Sequence, residues 1–167
     1  VLTPSGYHYK IAMYCLKRKV NTVVEKPMAM TIRECEKLIN YSKKNNLFFG
    51  TIYQNRFNPS VIYMKNLMDK GAFGKVITAN VRLRWARYQD YYEDGWHGTW
   101  KNDGGVINQQ CTHHIDILNQ INGPIIEVCG YGLNALNKLE AEDTMTAIFK
   151  FKNNSTGTLE ATTAARP

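Results

Sequence analysis

The chain has 167 residues, of which 44% are hydrophobic and 21% are charged, a composition typical of a globular protein. No apolar run approaches the ~20 residues that a membrane-spanning helix needs, and the first residues lack the basic and apolar regions of a signal peptide. The formal net charge is +7, concentrated in residues 1–101, while residues 102–167 are net negative. This asymmetry fits solvated helix faces or attraction of an anionic ligand. The basic residues form no RNA-binding signature with aromatic ones, so we expect no nucleic-acid partner and no membrane.

The cysteines are scattered along the chain and share no C-x-x-C spacing. Two of them lie on apolar faces of predicted helices, which favours buried, reduced thiols over disulfides or a zinc site. Reduced thiols and the absence of an export signal predict a cytoplasmic protein. The four positions are Cys15, Cys35, Cys111 and Cys129.

The first part of the chain alternates between helical and strand patterns. Residues 6–18 have a helical apolar face, and residues 20–24 form a short β-branched run typical of a buried parallel strand. Thr31-Ile32-Arg33-Glu34 has the form of a capping box that opens a helix to about Asn45. Residues 47–53 then form a second apolar run. This alternation predicts a parallel α/β sheet.

The pattern changes after this point. Asn58-Pro59 begins a helix that ends near Gly71, and its apolar residues are expected to face inward. Residues 75–85 alternate apolar and polar side chains, as in a sheet with one polar face. A loop rich in aromatic and polar residues over 86–105 leads to a helix over 106–122. Three further strands are predicted, over 125–133, 144–152 and 157–164.

The predicted fold class is therefore α/β plus α+β. Residues 1–57 are interpreted as the C-terminal part of a Rossmann-type parallel sheet. Residues 58–167 are interpreted as a largely antiparallel open-sheet domain with helices on one face. No G-x-G-x-x-G occurs in the chain, so the dinucleotide-binding unit is expected to lack its first half. We expect the chain to be an internal fragment, truncated at its C-terminus as well.

Lys26 is the first candidate for chemistry. It follows a predicted parallel strand, and ligands of open α/β sheets bind outside the carboxyl ends of the strands. A lysine there can donate a hydrogen bond to a substrate hydroxyl or stabilise an alkoxide. From position alone, a solvent-facing lysine after a strand is the more ordinary interpretation.

The helix after Gly104-Gly105 carries the second candidates. Gln109, His113 and Asp116 are spaced so that they can share one face. His113 is suited to moving a proton near neutral pH. Asp116 could orient His113 or face solvent, and His114 is interpreted as structural. The cluster offers too few ligands for zinc.

Tryptophans in the preceding loop are the third group of candidates. Trp96 and Trp100 are two tryptophans within five residues, in the segment Trp96-His97-Gly98-Thr99-Trp100-Lys101-Asn102-Asp103. They could pack beneath the loop or form the wall of a pocket that binds flat rings. Composition does not choose between these roles.

Taken together, these segments resemble the glucose–fructose oxidoreductase / inositol dehydrogenase / MocA (Gfo/Idh/MocA) family. The resemblance covers nearly the whole chain, in order, and its strength lies in the order and spacing of motifs that are weak singly. The matching segments are the T-P-x-x-x-H turn Thr3–His8, the E-K-P segment Val24–Pro27, the N-R-F-x-P stretch Tyr53–Pro59 and the G-G-x7-H-x-x-D helix Gly104–Asp116.

The resemblance implies hydride transfer between a sugar carbon and NAD or NADP, and oligomers packed through the C-terminal sheet. It implies that Lys26 contacts the substrate hydroxyl and the cofactor, and that His113 is the general base. The residues implied to lie beside the cofactor or substrate are Thr3, Pro4, His8, Glu25, Arg56 and Trp100. Since the ribose-binding residue is missing, the resemblance does not choose between NAD and NADP.

One departure concerns the position four residues before His113. Many members have Asp there, whereas this chain has Gln109, which cannot take a proton and is expected to act as a hydrogen-bonding positioner. The surrounding segments look most like members that act on nucleotide-linked sugars, such as UDP-N-acetylglucosaminuronate 3-dehydrogenases. Without a phosphate-binding helix N-terminus, this chain is expected to bind NAD(H) weakly. The alternative is a non-catalytic fragment that self-associates through its sheet.

Overall fold

The computed structural model describes residues 1–166 and begins with a small parallel α/β unit. β1 pairs with β2 in parallel, with Thr22 opposite Phe49 and Val24 opposite Thr51. This confirms the predicted alternation, although each strand has only three residues and is shorter than predicted. Val20 and Phe48, outside the ladder, are mostly exposed. The elements are α1 (His8–Lys17), β1 (Thr22–Val24), α2 (Ile32–Lys44) and β2 (Phe49–Thr51).

The core of this unit lies between the two helices and the sheet. Its buried residues come from one face of each helix and from the segment after β1, as the 3.6-residue period requires. Thr31 caps α2 as predicted, since its hydroxyl accepts a hydrogen bond from the main-chain NH of Glu34 at 3.3 Å. The buried apolar residues are Ala12, Leu16, Ala29 and Leu38.

A short 3-10 helix, Gln54–Phe57, joins this unit to α3 (Pro59–Asp69). Asn58 is the N-cap and Pro59 the first helical residue, as predicted, but the Asn58 side chain makes no capping hydrogen bond. The prediction that the apolar residues of α3 face the interior is only partly confirmed. No residue of α3 is fully buried, and Met64 is 37% exposed, because only one face of this helix meets other elements of the described chain.

The rest of the chain forms a four-stranded sheet in the order β3-β6-β5-β4. β3 runs parallel to β6, whereas the other two pairs are antiparallel, so the sheet is largely antiparallel as predicted. Helix α4 follows directly on one turn of π-helix, Ile107–Cys111, which the sequence did not indicate. The bounds are β3 (Thr78–Arg84), α4 (Thr112–Asn122), β4 (Ile125–Leu133), β5 (Thr144–Phe151) and β6 (Thr156–Thr162).

One face of this sheet packs on α4 and the π-turn. Along β3 the predicted alternation is confirmed, with Leu83 buried, whereas Ile77 precedes the strand and is 68% exposed. β4 is an edge strand on which every residue after Ile125 is exposed. The buried cluster contains Leu83, Val106, Cys111, Leu118, Ala147, Phe149, Phe151, Leu159 and Ala161.

The cysteines are all free thiols, but the prediction that they are buried is only partly confirmed. Cys111 is fully buried in the second cluster, and this burial raises the pKa of its thiol to about 12. Cys15 and Cys35 are half-buried. Cys129 is exposed, because it points away from α4 on the edge strand β4, opposite Ile148.

Candidate active site

Lys26 reaches from the end of β1 to the π-turn Ile107–Cys111, which precedes α4 in the second unit of the chain, the sheet with its helices. Its Nζ donates a hydrogen bond to the main-chain oxygen of Gln109 at 2.7 Å and another to the Gln109 side-chain oxygen. Lys26 is half-buried and Gln109 is buried. These bonds place the ammonium at the carboxyl end of a parallel strand, where ligands of such sheets bind. The solvent-facing alternative for Lys26 is therefore wrong.

Gly104 and Gly105, just before the π-turn, shape the start of the helical segment that carries Gln109 and His113. Gly104 and Gly105 have φ values of +82° and +73°, in the left-handed region that favours glycine. A Cβ on Gly105 would lie 2.3 Å from the carboxylate oxygen of Glu142. That carboxylate accepts a hydrogen bond from the main-chain NH of Ile107 at 3.1 Å. The close approach lets Glu142 satisfy an otherwise free amide at the start of the helix.

His113 lies one turn beyond Gln109 and is 8% exposed. Its ring meets Tyr53 edge-on, with 6.0 Å between the ring centroids. Nδ1 is buried and has no hydrogen-bond partner among the described residues. Burial lowers the pKa of His113, and Lys26 and His114 lower it further against an opposing effect of Glu25 and Asp116. His113 is thus favoured in its neutral form, which can accept a proton.

Asp103 is a buried carboxylate beside this cluster. It is 1% exposed, and its Oδ2 accepts a hydrogen bond from the main-chain NH of Gly98 at 2.7 Å. Its other oxygen has no partner in the described part of the chain. Burial raises the pKa of Asp103, whereas burial lowers the pKa of Lys26 and the charge of Asp103 opposes that lowering. The half-buried ammonium of Lys26 and the buried carboxyl group of Asp103 are therefore close enough for their charges to interact.

Arg56 and Asp116 form an ion pair across the two units. Arg56 Nε donates to Asp116 Oδ2 at 2.6 Å, and a second guanidinium nitrogen donates to Oδ1. Asp116 is only 13% exposed at its side chain. Neither of the roles considered for Asp116 is observed. It does not bond to His113 and does not face solvent.

The Thr3–His8 turn packs against the segment that contains Lys26. The ring nitrogens of His8 lie 2.6 Å from the main-chain oxygen of Pro27 and 2.8 Å from that of Thr3. Since His8 is 1% exposed, its ring joins these two segments rather than lining an open surface. Thr3 Oγ1 is buried without a partner among residues 1–166. Pro4 accepts the turn-closing hydrogen bond from the NH of Tyr7 at 2.9 Å.

The loop before the site helix separates the two tryptophans. Trp96 stacks on His97 with 3.7 Å between ring centroids, so it packs within the loop. Trp100 is 60% exposed, and its main-chain NH donates a hydrogen bond to the Glu140 carboxylate at 3.1 Å. His114 packs edge-on against Trp85 in keeping with a structural role.

The site has members that the sequence did not single out. Tyr53, Asp103 and Glu142 were not predicted to have a role, although Tyr53 begins the Tyr53–Pro59 segment and Asp103 directly precedes Gly104–Asp116. For Asp103 and Glu142 the missing signal was burial, because acidic residues are usually exposed. Glu142 makes its contact 35 residues away along the chain, beyond the reach of any local pattern.

A dinucleotide is compatible with the groups that converge here. Lys26 is a hydrogen-bond donor, and the buried hydroxyl of Thr3 has no partner among residues 1–166, so both can bond to a polar ring system. Within residues 1–166, no three His, Cys, Asp or Glu side chains are grouped to hold a metal ion. Among the helices described over the same residues, none combines the length with the apolar character that crossing a membrane requires.

Two family models together match almost all of the chain. Residues 1–53 match the oxidoreductase family with an NAD-binding Rossmann fold, and residues 61–167 match the GFO/IDH/MocA C-terminal domain. The predicted division between residues 57 and 58 falls in the interval between the two matches.

Solved structures with the same fold include two WlbA dehydrogenases, each in complex with NADH and UDP-GlcNAcA. The one from Bordetella pertussis is 29% identical with a TM-score of 0.97, covering 100% of this chain and 49% of that protein. The one from Chromobacterium violaceum is 31% identical with a TM-score of 0.96, covering 99% of this chain and 48% of that protein. Similarity of this degree extends over both units.

A curated relative, the NADP(+)-dependent scyllo-inositol 2-dehydrogenase IolW of Bacillus subtilis, is 27% identical over 116 residues. The match covers 70% of this chain and 32% of that protein. The chain thus spans about half the length of the solved structures it resembles and less of this relative.

Proposed function

Since the chain belongs to the Gfo/Idh/MocA oxidoreductase family, we propose that the protein transfers a hydride between a hydroxyl-bearing sugar carbon and NAD or NADP. Lys26 and His113 are the groups at the reacting hydroxyl. The observation that carries this proposal is the hydrogen bonding of Lys26 Nζ to Gln109, one helical turn from His113. Residues from two units meet at one point, as a site between a cofactor unit and a substrate unit requires.

The roles of the two side chains follow from their surroundings. In oxidation, neutral His113 takes the hydroxyl proton as general base, and its lowered pKa keeps it unprotonated near neutral pH. The Lys26 ammonium donates a hydrogen bond to the same oxygen and stabilises its developing negative charge. Gln109 holds Lys26 in place and takes no proton. The nicotinamide, when bound, supplies the hydride acceptor.

The remaining cofactor residues are proposed with different roles. The Thr3 hydroxyl and the Pro4 turn lie on the Lys26 side and would meet the nicotinamide side of a bound dinucleotide. His8 would act through them, since its ring is enclosed between the carbonyls of Thr3 and Pro27. Glu25, beside Lys26, contributes negative charge there. Trp100 is exposed at the side chain and free to cover a ligand.

For the substrate, we propose a nucleotide-linked sugar. The support is the similarity over the whole described chain to two dehydrogenases whose structures contain UDP-GlcNAcA, and the basic excess in residues 1–101. Such a substrate is anionic, so a basic unit attracts it.

A second proposal concerns self-association through the sheet. The face of the sheet away from α4 carries exposed apolar side chains on neighbouring strands, with Tyr131 83% exposed and Ile148 60% exposed. β4 also leaves one edge unpaired in the described chain, and such edges favour pairing with another chain. We propose that the protein forms a homo-oligomer through this sheet, independently of whether it is catalytic.

The full-length protein with NAD or NADP and UDP-N-acetylglucosaminuronate tests the proposed activity, followed by NAD(P)H absorbance. Lys26→Met should lower kcat at least about a hundredfold, because its donor is lost from the reacting oxygen. Lys37→Met, which removes an exposed lysine of α2, is the matched control and should leave kcat unchanged. Full turnover by Lys26→Met would exclude Lys26 from the mechanism, and reduction of cofactor only with neutral sugars would overturn the substrate proposal.

A further inference from the structure

We propose that the Arg56–Asp116 ion pair is a positioning unit for His113, because it holds the Tyr53 ring against the imidazole and cancels a charge beside it. The proposal rests on the proposed role of His113 as general base. It assigns Arg56 a different task from direct contact with cofactor. Neither residue is proposed to touch the reacting atoms.

The ion pair joins two segments that are far apart in the chain. Arg56 lies in the 3-10 helix Gln54–Phe57, and Asp116 lies on α4, 60 residues later. The two-nitrogen fork fixes the direction of the guanidinium as well as its distance from the carboxylate. Because Asp116 is one helical turn after His113, the pair anchors the segment that carries Arg56 beside the imidazole.

Tyr53 connects this pair to the imidazole. The Arg56 guanidinium carbon lies 5.2 Å from the centre of the Tyr53 ring, and the Tyr53 ring meets His113 edge-on at 6.0 Å and 81°. The Nδ1 atom of His113 has no hydrogen-bond partner among residues 1–166. No side-chain hydrogen bond to that atom therefore orients the ring, and its orientation depends on the packing against Tyr53.

The pair also balances charge at His113. The charges of Lys26 and Glu25 act on the imidazole from the end of β1, and those of His114 and Asp116 act on it from its own helix. Tyr53 meets the ring edge-on, and Arg56 lies beyond it, paired with Asp116 and near the Tyr53 ring. Asp116 alone favours the protonated imidazole, whereas a guanidinium alone disfavours it. Held together as a pair, the two charges largely cancel.

This arrangement predicts opposite effects from removing either partner. In Arg56→Met the Asp116 carboxylate is left uncompensated, so the His113 titration midpoint should rise by about half a pH unit. In Asp116→Asn the Arg56 cation is left, so the midpoint should fall by about the same amount. The double variant should titrate close to the wild type, because both charges are gone.

Histidine NMR titration of the full-length protein without substrate measures these midpoints directly. Shifts of opposite sign that cancel in the double variant are the expected result. Shifts of the same sign, or none, would overturn the proposal, since loss of fold alone has no reason to change sign between the two variants. Arg84→Met, which breaks another arginine–carboxylate pair at Glu160 on the sheet, is the control and should leave His113 unshifted.

Steady-state kinetics separate positioning from cofactor binding. Arg56→Met and Asp116→Asn should each lower kcat about tenfold with little change in KM for NAD(P), because the base is displaced while the cofactor is not. Arg56→Lys retains the charge without the fork, so it should titrate like wild type but recover kcat only in part. A rise in KM for NAD(P) in Arg56→Met alone would instead show a direct cofactor contact. If the full-length protein shows no hydride transfer, the NMR shifts still decide the positioning role.

Discussion

The two units of the chain support the candidate site by unequal means. The first unit brings Lys26 at the end of a three-residue strand, above a small buried cluster between two helices. The second brings Gln109 and His113 on a helix packed against a four-stranded sheet with a larger buried cluster. The sheet unit is therefore the firmer support, and the geometry of Lys26 depends more on its contacts with the other unit.

Those contacts are few and mostly polar. Lys26 bonds to Gln109, Arg56 pairs with Asp116, and Gly6 lies so close to Asn102 that a Cβ would be 2.3 Å from the amide oxygen. Directional contacts of this kind fix geometry but contribute modest net stability. The position of the site residues therefore depends on the contacts between the two units, whereas the stability of each unit comes from its own buried core.

The largest effect is expected from Phe151→Ala in the sheet unit. Phe151 is fully buried, so its loss should lower the free energy of unfolding by about 4 kcal/mol. Leu38→Ala in the first unit should cost less, about 2–3 kcal/mol, because partly exposed neighbours can close around the gap. Denaturant titrations followed by far-UV circular dichroism measure both units, and tryptophan fluorescence isolates the sheet unit, since all three tryptophans lie in residues 85–100. An equal or larger loss for Leu38→Ala would contradict the unequal cores.

Gly105 and Gly71 have similar backbone φ angles but different surroundings, so alanine at the two positions should have unequal effects. Gly105→Ala should cost about 3 kcal/mol and lower kcat, because its Cβ collides with Glu142 at the start of the site helix. Gly71 has a φ of +69° but nothing within 4 Å of its Cβ position, so Gly71→Ala should cost only about 1 kcal/mol. Thermal denaturation of both variants measures the difference. Equal losses would mean that the Glu142 contact is unimportant.

The smallest expected effect is a pH dependence of stability from the sheet unit. Burial lowers the pKa of His113 and of His114 below their ordinary value of 6.5, so protons bind the unfolded chain first. The stability due to the neutral rings is present above that value and is lost as the pH falls below it. Urea denaturation at about pH 7.5 and about pH 5.5 should show this loss, and His114→Gln should reduce it. An unchanged pH dependence in His114→Gln would argue against its burial.

Much of the fold was predictable because its signals are local. The periodicity of α1 and α2, the Thr31 cap and the alternation along β3 each depend on neighbours a few residues away. The order of short motifs also predicted that Lys26 and His113 lie close together, and the structure places Lys26 on Gln109, one helical turn from His113. The roles of these residues, and of the cofactor neighbours, stay predictions until they are measured.

The sequence by itself determined the order of the elements and the type of sheet in each unit. It also determined which residues have side chains able to accept a proton or donate a hydrogen bond. The tertiary structure alone decided that Lys26 bonds to a residue 83 positions away, that Asp116 bonds to Arg56 and not to His113, and that His8 is enclosed. It also decided the π-turn that presents Gln109. The physical reason is that hydrogen bonds and burial between distant segments depend on how the two units pack, which no local pattern of residues contains.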